Sequence, residues 1–111
     1  MYKLKYLPSA VTDILEIEDY LNEFSAAAAD KFADSIQQLE ETLVSHPFMY
    51  PVYEDDDYFR DMVLPYKYRL FYHVTEEAEI INVHRVLHGM RDIKSIMEDE
   101  ASPSITNFPE N

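Results

Sequence analysis

The chain has 111 residues, a length that suits one domain, and 47% of them are hydrophobic, with nine Tyr and six Phe to build a core. Cysteine is absent, which excludes disulfides, thiolate metal sites and cysteine nucleophiles. Twenty-two acidic residues against nine basic ones give a formal net charge of −13, which disfavours long-range attraction to nucleic acid.

The opening MYKLKYLPSAV lacks the apolar core of ~7–15 residues that a secretory signal needs. No apolar run approaches the ~20 residues that span a bilayer. The expected location is the cytoplasm, with no membrane association.

Residues 2–7 alternate in the period-two pattern of a half-buried strand, and Pro8 ends it. Ser9 is a candidate N-cap for a helix whose apolar stripe is Val11, Ile14, Ile17, Leu21 and Phe24. Ser25 is the candidate cap of a second helix, with Ala29, Phe32, Ile36, Leu39 and Leu43 as its stripe. The near absence of a connecting loop predicts an antiparallel helical hairpin. His46-Pro47 closes the second helix, because proline disfavours helical dihedrals in the residue before it.

Residues 47–58 read as a loop holding the acidic run Glu54-Asp55-Asp56-Asp57. Three strands are predicted beyond it, Tyr58 to Leu64, Lys67 to Thr75 and Glu79 to Leu87, with turns at Pro65-Tyr66 and Glu76-Glu77. In the middle strand Tyr68, Leu70, Tyr72 and Val74 share one face, and Lys67, Arg69, Phe71 and His73 the other. In the last strand Ile81, Val83 and Leu87 fall on the same face as Arg85. Gly89, the only glycine, marks a sharp turn, and residues 91–98 suit one short helix. Helices followed by a run of strands predict an α+β fold: an N-terminal strand, a two-helix antiparallel hairpin, an antiparallel β-meander forming a curled sheet, and a short C-terminal helix. The predicted division is a domain over 1–97 and an acidic, disordered tail over 98–111.

The order of elements, the strand Tyr68-Arg69-Leu70-Phe71-Tyr72 and the segment Arg85-Val86-Leu87-His88-Gly89-Met90-Arg91-Asp92 together resemble the RelE/ParE superfamily, the toxins of type II toxin–antitoxin pairs. The resemblance covers residues 1–97. It implies growth inhibition, a role in plasmid stabilization, and a cognate antitoxin with a DNA-binding part and a segment that wraps the toxin. RelE-like members are ribosome-dependent mRNA interferases, whereas ParE-like members bind and poison DNA gyrase. The Leu-His-Gly-x-Arg-Asp ending is closer to the ParE-like branch. The chain departs from the nuclease pattern in its few basic residues and in having no Tyr after Arg85 in that segment.

Cleavage of RNA needs a proton acceptor, a donor for the leaving oxygen and cations for the developing phosphorane charge. Arg69, Arg85 and His88 are the candidate catalytic set for an interferase, with Arg69 and Arg85 on neighbouring strands within reach of one phosphate. Arg60, Lys67, Arg69, Arg85 and Arg91 are the candidate contacts to a target or antitoxin. The competing reading is that Arg85 and Arg91 pair with Asp92, Asp61 or carboxylates of the first helix, while His88 caps the strand end. No metal site is expected from His46, His73, His84 and His88, which lack ligand spacing. The acidic run lacks the alternation and central Gly of a calcium loop. No cofactor and no sequence-specific DNA binding are expected. The leading expectation is a ParE-like toxin acting on gyrase, with a ribosome-dependent interferase and a non-toxic binding module as alternatives.

Overall fold

The computed structural model describes residues 1–101. The elements in order are β1 (Lys3–Tyr6), α1 (Pro8–Phe24), α2 (Ala26–Ser45), β2 (Arg60–Leu64), a 3-10 turn (Pro65–Lys67), β3 (Tyr68–Thr75), β4 (Ile80–His88) and α3 (Ile93–Ala101). They form the predicted α+β arrangement. The sheet order is β1-β4-β3-β2. As expected, β2, β3 and β4 make an antiparallel meander. The first strand joins this meander in the other sense, because β1 lies parallel to β4 with Lys3 opposite Ile80. The sheet is mixed. The hairpin carries the chain away from β1, and the meander returns β4 to its side in the same direction.

Local chemistry explains most boundaries. Helix α1 starts at Pro8 itself, whose fixed φ suits a first helical position, and Leu7 precedes it without a side-chain cap, so Ser9 is not the cap. Ser25 does cap α2, its side chain accepting from the Ala28 amide at 3.2 Å. His46 ends α2 directly before Pro47. The Tyr72 hydroxyl then donates to the Pro47 carbonyl at 3.0 Å and fastens the helix end to the sheet.

The buried stripe of α1 is Ala10, Asp13, Ile17 and Leu21. Val11 and Phe24, assigned to the core by spacing, are 43% and 70% exposed. The stripe is rotated because Asp13 has polar partners on β4. The α2 stripe of Phe32, Ile36, Leu39 and Leu43 is buried as predicted. Both helices pack on Leu64, Tyr68, Leu70, Tyr72, Ile81, Val83 and Val86. On the other face of the sheet α3 places Ile93 and Met97 on a second cluster with Tyr53, Phe59, Phe71 and Leu87.

Strand β4 does not keep one alternation. Phe71 pairs with Arg85 while Tyr72 pairs with Val83, so His84 is an extra residue. This bulge explains why Ile81, Val83 and Val86 share the helix-facing core while Leu87 belongs to the other. Gly89 has no positive φ. Its amide donates to the Lys67 carbonyl at 2.8 Å, and a Cβ there would stand 3.3 Å from the same oxygen. Gly89 does sit in a tight turn, closed by the Arg91 amide donating to the His88 carbonyl at 3.0 Å, and close approach to the β2–β3 turn is what favours glycine there. Helix α3 continues to Ala101, so residues 98–101 of the expected tail are helical. Residues 102–111 of that tail lie outside the described residues.

Candidate functional site

Beyond Tyr6 the edge of β4 has no strand beside it among the described residues, since β1 ends and the Leu7 amide donates to the Val83 carbonyl at 3.0 Å. Asp13 of α1 takes over. Its carboxylate accepts from the Val86 amide at 3.0 Å and from Arg85 Nε and Nη2 at 2.7 and 2.9 Å. A charged fork and a strand amide thus satisfy a carboxylate that is 6% exposed. The bonds from Asp13 outweigh burial and hold the Arg85 guanidinium above its ordinary pKa. Glu100 of α3 lies 4.0 Å from the same guanidinium and 3.0 Å from His84 Nδ1.

Arg69 is drawn the opposite way across the sheet. It forms an ion pair with Asp61 on β2 and stacks over the rings of Tyr53 and Phe71. Arg69 and Arg85 therefore do not converge on one phosphate position. The carboxylate partners anticipated for Arg85 are present, in the first helix. Arg60 donates to the Tyr50 carbonyl at 2.6 Å and lies over the Phe48 ring, near the loop rather than the end of β4.

His88 and, of the remaining candidate cations, Arg91 lie at one groove. About 430 Å³ in volume, it runs between α1, the 3-10 turn and the end of β4. Ile17, Leu21, Val86 and Tyr68 supply apolar lining, Tyr20 and Tyr66 are half-exposed walls, and His88 and Arg91 stand opposite Asp13 and Glu16. His88 Nδ1 accepts from the Met90 amide at 3.1 Å, which leaves Nε2 to carry the proton of a neutral ring. Its ring meets Tyr68 edge-on at 5.0 Å. Tyr66 reaches the groove and Lys67 follows it outside the lining, both left-handed with φ 65° and 67°, a conformation that costs a non-glycine residue roughly 1 kcal/mol. Of the residues singled out from the sequence, His88 ends β4 and Arg91 follows three residues later, both lining this groove, whereas Tyr20, Tyr66 and Glu16 were not singled out. The spacing of Asp13 from Ala10, Ile17 and Leu21 was the available signal that a carboxylate lay on the buried stripe.

The groove offers hydrogen-bonding and apolar contact to a macromolecular partner, and one imidazole for proton transfer. Among the described residues no group of three or more His, Asp or Glu is arranged to hold a metal ion, and no helix is long and apolar enough to cross a membrane.

The family model of the ParE toxin of the type II toxin–antitoxin system parDE matches residues 4–93. The chain belongs to the ParE toxin family. It is thereby a type II toxin of the RelE/ParE superfamily. Among curated proteins no relative matches it. Solved structures support the fold at low identity. The free state of an arginine-to-alanine double mutant of Escherichia coli RelE shares 16% identity with this toxin at a TM-score of 0.61, covering 94% of this chain and 97% of that one. RelE in the intact E. coli RelBE toxin–antitoxin complex gives 15% and 0.57, over 82% and 100% of the two chains. The RelBE2 toxin–antitoxin complex of Mycobacterium tuberculosis gives 20% and 0.52, over 78% and 96%.

Proposed function

We propose that this protein is the growth-inhibiting toxin of a co-encoded pair, that it acts by binding DNA gyrase, and that a cognate antitoxin neutralises it. The observation that carries the gyrase reading is the internal engagement of Arg69 by Asp61 and of Arg85 by Asp13. A ribonuclease needs cations free to meet a phosphorane, and two of the three arginines nearest in sequence to that role are held by carboxylates. Membership of the ParE rather than a nuclease family supports the same reading. The antitoxin is inferred from the family and from the complexes formed by the two RelBE relatives. A cytoplasmic site of action follows from such a target.

Purified protein is expected to inhibit supercoiling by gyrase, and induced expression to arrest growth until the adjoining gene is co-expressed. Unchanged supercoiling and unimpaired growth would overturn the toxin reading and leave a binding module that retains the fold. The groove with His88 and Arg91 keeps one alternative chemically open, cleavage of ribosome-bound mRNA. Its signature is transcript cleavage that disappears in His88→Gln, and intact transcripts during growth arrest dismiss it.

A further inference from the structure

The helical hairpin carries more negative charge than its share of the chain. Residues 8–45 contain nine carboxylates and a single basic side chain, Lys31. One of the nine, Asp13, is buried against Arg85. The rest include Asp19 and Glu41, which are exposed. Within this acidic surface lies an apolar groove of about 210 Å³ between the two helices, lined by Tyr6, Val11, Ile14, Leu15, Ile36 and Glu40. Val11 and Leu15 are 43% and 57% exposed, one helical turn apart on α1. The Tyr6 hydroxyl donates to the Glu40 carboxylate at the groove wall, fixing an acceptor there. On the hairpin itself an acidic partner would meet Lys31 as the single basic side chain, while Arg60, Arg69 and Arg85 are each engaged within the protein.

We infer that this groove receives a basic, apolar-anchored segment of the antitoxin, two or more aliphatic side chains seated over Val11 and Leu15 with lysines or arginines facing the flanking carboxylates. The inference rests on the existence of that antitoxin. It places the antitoxin contact on the hairpin instead of on the candidate contacts Arg60, Lys67, Arg69, Arg85 and Arg91. Charge complementarity selects the sign of the segment, since it sets which partners approach and which are repelled. The apolar side chains supply the affinity, as central anchors do in most interfaces.

The test measures binding of the full-length chain to the product of the adjoining reading frame by calorimetry across a range of salt. Wild type is compared with Leu15→Ser and with the double variant Asp19→Lys, Glu41→Lys; all three positions are exposed, and circular dichroism verifies the fold. Both variants are expected to bind at least about tenfold more weakly, and wild-type affinity to fall as salt rises. Tighter binding by the double lysine variant would overturn the inference by revealing an acidic segment, and unchanged binding by either variant would overturn it by moving the interface elsewhere. Concentration-dependent self-association that Leu15→Ser abolishes would overturn it in favour of a second copy. Failure of wild type to bind the neighbouring product would overturn the antitoxin reading itself, an outcome separate from the others.

Discussion

Asp13 occupies a stripe whose other members are Ala10, Ile17 and Leu21, and its carboxylate receives three hydrogen bonds from Arg85 and Val86. Removing it leaves a guanidinium that is 19% exposed without its partner and a strand amide without its acceptor. Asp13→Ala is therefore expected to lower stability by about 3 kcal/mol, read as the urea midpoint; Glu16→Ala, on the exposed side of the same helix, should leave that midpoint in place. An unaltered midpoint for Asp13→Ala would mean that Arg85 has no structural dependence on it. Tyr72 offers a pH-dependent test. Burial raises its phenol from 10.0 to about 12, against an opposing pull from Arg60. The folded state holds that proton more tightly than the unfolded chain does. Its stabilising effect is intact below pH 10 and is lost as the pH climbs from there towards about 12. Tyr72→Phe should lessen this alkaline loss by the share Tyr72 contributes, since Tyr6 and Tyr53 are raised as well, and, by removing the bond to Pro47, reduce neutral-pH stability by about 1 kcal/mol. An alkaline limb unchanged from wild type would assign the effect to the other raised tyrosines, Tyr6 and Tyr53, alone.

At the scale of elements, α3 is the least redundant piece. It covers the sheet face opposite the hairpin through Ile93 and Met97, and its last turn is fastened by Glu100 to His84. Met97 is 1% exposed among Phe59, Phe71 and Leu87. Met97→Ala should cost about 3 kcal/mol and increase binding of a hydrophobic dye, whereas Lys94→Ala on the exposed side should do neither; a Met97 variant as stable as wild type would show that α3 packs loosely. The helix pair was legible because stripes at steps of three and four and the Ser25 cap are local signals. The meander was legible because Pro65 and Glu76-Glu77 punctuate it. The bulge at His84 was not, since an inserted residue looks like any other until its partner strand is in register. The direction of β1 was equally hidden, because alternation marks a strand without saying which neighbour it joins or which way it runs. The site was half legible. The arginines and His88 are named by their segment, but their distribution among Asp61, Asp13 and the groove depends on which strand edges β1 leaves open.

For the molecule as a whole, charge and topology are the two organising facts. The net charge of −13 is uneven, with the hairpin strongly acidic and Arg69, Arg85 and Arg60 turned inward to carboxylates or carbonyls. What faces solvent is mainly negative, and this governs which macromolecules approach at physiological ionic strength. Topology contributes a constraint of another kind. Lys3 pairs with Ile80, so a nascent chain leaving the ribosome holds its first strand without a mate until the final strand follows it out. Contacts so distant in sequence form late. Asp13 must likewise await Arg85 and Val86. A polypeptide aborted before β4 has neither a finished sheet nor the His88 and Arg91 wall, so the groove between α1 and the sheet exists only after the strand farthest from β1 in sequence has been made.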